Sequence, residues 1–444
     1  MGSMNRFLQV NKVTKGIVPM DSPGMPTILR AGRLDREAGL FLRLVAPFTG
    51  KPISREQVGR SRRAWRLAAM TLGRRVPVES IVERRIDGPG GQILLRIYTP
   101  EGPAGLKPAF LWCHGGGFVV GDLDSNDAIC RGVARAAQAV VVAVRYRLAP
   151  EHDLYAGRED FLAALNWVAE HGASIGIDTT RLAIGGDSAG GNISAAVTQE
   201  NLRRGGPNLQ MQVLVYPATN LLADFPSKAE NAQGYFISAD LLDSLRPLIE
   251  QGKDLADPWL SPGLSADLSR LPPALILTAG FDPIRDDGLC YAAQLRAAGI
   301  PVELLHYAGQ FHGFLNFDSV IGAARDALTR IGSALARVFR NDPAVNCSTE
   351  ISDRITRSCF ASKAPAELLT AWILIGRSAR QLSGTTARLL SPKAANLAEL
   401  VLRPWWVPLA MVRRTVAASL NLLDAQQTYL QPVGTPSEAL ENRS

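Results

Sequence analysis

The chain has 444 residues, 46% of them hydrophobic and 20% charged, with a net charge of +7. That balance describes a folded globular protein rather than a disordered or fibrous one, and no apolar run reaches the ~20 residues needed to span a bilayer. Residues 1–85 and 354–414 are rich in Lys and Arg while the stretch between them is acidic, which argues against a nucleic-acid enzyme, whose basic charge would line the site. Five scattered cysteines without a C-x-x-C pair read as reduced thiols. With no leader pattern at the N-terminus, a cytoplasmic location is expected.

Residues 1–50 are irregular and rich in Pro and Gly, with one apolar patch from Gly39 to Phe48. Ser54-Arg55-Glu56-Gln57 has the form of a capping box. A helix is expected from there to Arg74, with Val58, Trp65 and Leu72 one heptad apart on one face. Residues 1–80 therefore read as an N-terminal region with cap helices laid on a pocket mouth.

From Ile81 the pattern alternates. Gln92 to Tyr98 reads as an antiparallel edge strand. Strands are expected at 109–113, 139–145, 181–186, 211–216, 274–280 and 302–307, with helices at 125–138, 157–171, 189–203, 288–298 and 319–338. Apolar strands alternating with helices predict an α/β fold, a mostly parallel central sheet with helices on both faces. After Pro217 the alternation breaks, so 218–265 is expected to be an insertion into the cap, and the catalytic domain to span 81–340. Residues 341–444 read as a basic helical extension. Prolines divide it into helical segments at 366–382, 393–403 and 409–424, with Trp405-Trp406 in a Pro-bounded turn. Two readings stay open for it: helices packed on the domain, or interfacial helices on a lipid surface with Arg toward headgroups. From Gln431 on, the composition reads as disordered.

The most informative motif is Gly186-Asp187-Ser188-Ala189-Gly190, followed by Gly191 and Asn192. It lies between an apolar strand and a helix, the context of a nucleophile elbow. A turn that tight leaves almost no room for side chains beside the serine, and it pushes the hydroxyl outward. Upstream, His114-Gly115-Gly116-Gly117-Phe118 follows a strand; a backbone free of β-carbons can turn its N–H groups toward a substrate oxygen. Downstream, Asp282-Pro283 and His312-Gly313 each follow a strand. The order Ser, Asp, His is that of α/β hydrolases. No His/Cys/Asp cluster has ligand spacing, so neither a metal nor an organic cofactor is expected.

With Tyr146-Arg147-Leu148-Ala149-Pro150-Glu151-His152 and Asp282-Pro283-Ile284-Arg285-Asp286-Asp287-Gly288 added, five blocks in order resemble the bacterial hormone-sensitive-lipase-like esterases of the α/β-hydrolase fold, over roughly residues 80–335. The resemblance implies a carboxylesterase acting on small acyl esters of short to medium chain length. Ser188 would be its nucleophile and His312 its base. Asp282 would orient the base, with Asp286 and Asp287 as rivals better suited to pairing Arg285 or capping a helix. Gly116 and Gly117 would supply oxyanion N–H groups; the elbow itself supplies a third, Ala189. His114 would brace the glycine loop. Homodimers occur in that family, and the sequence names no interface. Two other functions remain open: an amidase or deacetylase with the same triad, and a non-catalytic binding protein on this scaffold. The resemblance says nothing of residues 341–444.

Overall fold

Val140–Val144 and Ala274–Leu277 are continuous apolar runs without alternation. Strands of that kind belong in a sheet covered on both faces. In the computed structural model, which describes residues 30–352, both runs are interior strands of a nine-stranded sheet. The described residues begin with α1 (Arg36–Val45) and α2 (Val58–Leu72), then β1 (Ser80–Gly88), β2 (Gly91–Thr99) and β3 (Lys107–Cys113). There follow α3 (Asp127–Ala137), β4 (Val140–Arg145), α4 (Leu154–His171), β5 (Ile177–Asp187), α5 (Ala189–Arg203) and β6 (Leu209–Val215). The last part holds α6 (Pro226–Glu230), α7 (Ala239–Glu250), β7 (Ala274–Phe281), α8 (Arg285–Ala297), β8 (Val302–Phe311), α9 (Gly322–Phe339) and β9 (Cys347–Ile351).

The strand order is β1-β2-β4-β3-β5-β6-β7-β8-β9. The pairings of β1 with β2 and β2 with β4 are antiparallel; the rest are parallel. The step from β3 to β4 runs one way across the sheet, and the steps from β4 to β5, β5 to β6 and β7 to β8 run the other. Right-handed crossovers then place α3 on one face and α4, α5 and α8 on the opposite one. Helix α9 packs closely on α3: Gly132 faces Leu328, and a β-carbon on Gly332 would overlap Ala136.

Four features differ from the sequence reading. The patch from Gly39 to Phe48 largely belongs to α1, which buries Ala38, Phe41, Leu42 and Val45; the helical spacing of these apolar positions is the reason. The strand expected at Gln92–Tyr98 is not the edge, because β1 pairs along its outer side from Ser80 to Gly88. Strand β8 runs on to Phe311 rather than stopping at Tyr307, since a register irregularity between Ala279 and Phe281 lets β7 and β8 stay paired. The sheet also continues past residue 340: β9 pairs with β8 from Glu303↔Cys347 to Tyr307↔Ile351. The insertion carries α6 and α7, and the helical segments read at 366–382, 393–403 and 409–424 lie outside the described residues. Among the described residues, no helix is long and apolar enough to cross a membrane.

Candidate active site

Four strands, β3, β5, β7 and β8, end at the same edge of the sheet, with β6 between β5 and β7, and each delivers one of the motifs. Cys113 precedes the His114 loop, Asp187 precedes Ser188, Phe281 precedes Asp282 and Phe311 precedes His312. These are the carboxyl ends of parallel strands, where open α/β sheets form their ligand crevices.

Ser188 has φ 55° and ψ −119°, a conformation that L-residues rarely adopt and that marks stored backbone strain. The surroundings over-determine it. Ser188 donates its N–H to the carbonyl of Val215 at 2.8 Å, and its own carbonyl accepts from the Asn192 N–H at 3.0 Å. A β-carbon on Gly186 or Gly190 would overlap the Cys113 carbonyl, and one on Gly191 would come within 2.9 Å of Pro217 Cβ. The small residues around the serine thus answer to identified neighbours.

The structure brings together the serine, histidine and aspartate read from the sequence. Ser188 Oγ lies 2.9 Å from His312 Nε2, and His312 Nδ1 lies 2.8 Å from Asp282 Oδ2. An ionised carboxylate only accepts, so Nδ1 carries the proton and Nε2 is free to accept from the serine hydroxyl. Asp282 is fully buried, and its other oxygen accepts the Ile284 N–H at 2.8 Å. Tyr216 packs against the imidazole, ring centroids 4.7 Å apart.

The two rival carboxylates point elsewhere. Asp286 accepts from Arg285 Nε at 2.7 Å and from the Ser227 N–H at 2.9 Å. Asp287 accepts from the Asn220 N–H at 2.8 Å. Helix α8 has no side-chain cap, so pairing with Arg285 holds for Asp286 and capping holds for neither.

The glycine loop folds back on itself. Gly116 and Gly117 have φ 126° and 59°, and the Gly116 carbonyl accepts from the N–H groups of Val119 and Val120 at 3.1 and 2.9 Å. A β-carbon on Gly116 would overlap the Val120 carbonyl. Among the described residues, the N–H groups of Gly116, Gly117 and Ala189 make no backbone hydrogen bond across the fold. Ala189 opens the 15-residue α5, whose N-terminus favours negative charge. His114 braces the loop: Nδ1 lies 2.9 Å from the Gly115 carbonyl, the ring stacks on Tyr146 at 4.4 Å, and the Tyr146 hydroxyl donates to the His114 carbonyl at 2.7 Å. Burial holds this imidazole below its usual pKa, hence neutral.

Several residues of the site carried no assigned role in the sequence. Asp187 accepts the Gly115 N–H at 2.7 Å, and burial pushes its carboxyl up to about 6 against the stabilising Gly115 N–H and the nearby His312. Arg62 on α2 donates to the carbonyls of Val119 and Ala149 at 2.8 and 2.9 Å and forks onto Glu151 at 2.7 Å. One turn on, Arg66 pairs with Asp122. From the insertion, Leu245 Cδ1 stands 2.5 Å from where a Gly117 β-carbon would begin, and Phe236 lies 3.5 Å from the same position at Gly313. Phe236 also belongs to an aromatic cluster with Phe41, Trp65, Phe311 and Phe317. A surface-type arginine on a helix and a leucine in an insertion give no local signal of such roles. The position of Asp187, one residue before the serine, is the nearest to one. Among the described residues, no group of three His, Cys, Asp or Glu side chains could hold a metal ion.

A sheet with this strand order, an elbow serine and a histidine–carboxylate pair at its carboxyl edge define an α/β hydrolase. A family profile described as alpha/beta hydrolase fold matches residues 110–316. The chain is 43% identical over 258 residues to esterase LipI of Mycobacterium tuberculosis, an alignment covering 57% of this chain and 81% of that one. It is 44% identical over 265 residues to carboxylesterase NlhH of the same organism, covering 58% and 83%. The solved hyperthermophilic esterase of Pyrobaculum calidifontis is similar at 35% identity and a TM-score of 0.64, covering 68% of this chain and 98% of that one. The chain belongs to the hormone-sensitive-lipase-like esterases of the α/β-hydrolase fold and is a carboxylic ester hydrolase.

Proposed function

We propose that the protein hydrolyses short- to medium-chain acyl esters through a covalent acyl-enzyme on Ser188. The observation that carries this reading is the unbroken hydrogen-bonded chain from Ser188 through His312 to Asp282. A serine alcohol is a weak nucleophile at neutral pH and needs an adjacent base. His312 Nε2 takes the hydroxyl proton as Oγ attacks the ester carbon. The carbonyl oxygen becomes an oxyanion and receives the N–H groups of Gly116, Gly117 and Ala189. Asp282 keeps Nδ1 protonated and stabilises the imidazolium that forms. Collapse of the tetrahedral adduct expels the alkoxide, which takes its proton from His312. Water then repeats the sequence on the acyl-enzyme, with His312 again as base, and frees the acid.

Leu245 beside Gly117 and Phe236 beside Gly313 support the chain-length preference, because they put bulky side chains of the insertion next to the proposed oxyanion loop and the loop that carries His312. The test is steady-state hydrolysis of p-nitrophenyl esters from acetate to palmitate, beside a matched p-nitroanilide. Turnover peaking at short or medium acyl chains, with the anilide far slower, is the expected result. A maximum at palmitate would overturn the chain-length reading, and faster cleavage of the anilide would make the protein an amidase. Failure of a fluorophosphonate to label Ser188 would leave only a binding protein on this scaffold.

A further inference from the structure

Helix α4 buries one stripe: Leu154, Phe161, Leu162 and Leu165. Arg158 lies on that stripe, fully buried. Buried cations are normally paired with carboxylates, yet each hydrogen bond of this guanidinium goes to a neutral acceptor. One Nη donates to the Leu154 carbonyl at 2.6 Å. The other donates to Asn192 Oδ1 and to the Leu260 carbonyl at 3.1 Å. Its Nε has no partner. The guanidinium carbon sits over the Phe118 ring, 5.4 Å from the centroid.

These neighbours come from both halves of the oxyanion site. Phe118 follows directly on Gly117, and its own φ of 63° leaves it dependent on its surroundings. Asn192 lies one turn into α5 from Ala189, and its N–H donates to the Ser188 carbonyl at 3.0 Å. The Asn192 side chain also donates to the carbonyls of Ala218 at 2.6 Å and Leu260 at 2.9 Å. The proposed oxyanion donors therefore stand on two separate pieces of chain, and their spacing has to be set by contacts between those pieces. Asp187 with Gly115 is one such contact. Arg158, touching Phe118 on one side and Asn192 on the other, is a second.

We infer that Arg158 is a positioning residue for ester hydrolysis: it bridges the Gly116–Phe118 loop and the first turn of α5, and so sets the width of the oxyanion hole. The inference rests on the esterase reading above. An oxyanion hole acts by preorganisation, and its donors must already stand where the charge develops. A bridge that sets their spacing then serves the tetrahedral state and leaves ground-state ester binding nearly untouched.

The experiment compares full-length wild type with R158M, which keeps bulk and removes both charge and donors, and with R158Q, which keeps an N–H donor without the charge. Each is assayed on p-nitrophenyl butyrate, with active sites counted by fluorophosphonate titration, and for inhibition by phenylboronic acid, whose tetrahedral adduct on Ser188 places an oxygen in the hole. The expected result for R158M is a kcat ~10–100-fold lower, below the usual cost of deleting a donor outright. KM stays within about twofold, and boronate affinity falls in step with kcat. R158Q falls between the two. If R158M does not fold, R158Q decides by the same readouts. Folded variants with wild-type kcat and boronate affinity, even at lowered Tm, would overturn the inference and make Arg158 packing alone. Failure of wild type itself to cleave the ester would instead strike the esterase reading.

Discussion

The backbone N–H of Gly115 donates to the buried carboxylate of Asp187 at 2.7 Å. Gly115 precedes the two loop glycines proposed as oxyanion donors, and Asp187 precedes Ser188, the proposed nucleophile. One hydrogen bond therefore ties the loop after β3 to the elbow after β5, across strands already in register at Cys113↔Gly186. The carboxylate that makes this tie is held in an unfavourable place, since burial pushes its pKa up to about 6.

Replacing Asp187 by Asn should separate stability from activity. The folded-state pKa lies above the ordinary aspartate value of 3.8, so the stability contributed by the protonated acid is present below pH 3.8 and is lost as pH rises through 6. A tenfold change in a proton equilibrium corresponds to about 1.4 kcal/mol. Relative to wild type, D187N should therefore gain on the order of 2–3 kcal/mol in unfolding free energy between pH 4 and pH 7. Its kcat at pH 8 should fall about tenfold, because a neutral amide is a weaker acceptor for the Gly115 N–H. Urea titrations at the two pH values, with kinetics on the same samples, check both halves.

Asp318 provides the matching case away from the site. Its carboxyl is also raised to about 6 by burial, and it accepts the Arg74 N–H at 2.6 Å. D318N should show the same direction of stability change between pH 4 and pH 7, with kcat and KM unaltered. A fall in kcat comparable to that of D187N would mean that activity merely follows charge burial.

Two of the carboxylates after β7, Asp282 and Asp286, should divide cleanly. Asp282 alone reaches His312, so D282N should lower kcat by ~10⁴, the scale seen when an orienting aspartate loses its charge. Asp286 pairs with the buried Arg285. D286N should leave kcat per active site within about threefold and instead lower Tm, since it strips part of the neutralisation from a buried cation. Thermal melts and titrated kcat values distinguish the two patterns.

A methyl group on Gly116 should be as damaging as losing a donor. The position has φ 126°, and a β-carbon there would overlap the Val120 carbonyl. G116A should cut kcat by ~10²–10³ while far-ultraviolet circular dichroism stays unchanged.

The sequence made the framework of the candidate site legible because that framework is written in local patterns. Helix α5 has the expected bounds at Ala189 and Arg203, and His114, Ser188, Asp282 and His312 each stand one residue beyond a strand. What it concealed depends on contacts distant along the chain. Arg62 reads as one more surface arginine on a basic helix, and only the folded chain brings it to Val119 and Glu151. Strand β9 contains Ser348, Thr349 and Glu350 and has little strand signature; its pairing with β8 makes it a strand. Likewise the extension of β8 to Phe311 crosses Gly309, where a β-carbon would overlap the Asp35 carboxylate, a contact with a segment far away in sequence. Arg158 gave a partial signal, a charge on the apolar stripe of α4, but its partners lie on other elements.

The central claim is that Ser188 forms the acyl-enzyme, and pre-steady-state mixing with p-nitrophenyl acetate tests it most directly. Wild type should release a burst of p-nitrophenol equal to one per active site, followed by slower steady turnover, and S188A should show neither burst nor turnover while keeping the wild-type fold. Turnover by folded S188A at the wild-type rate would contradict the account.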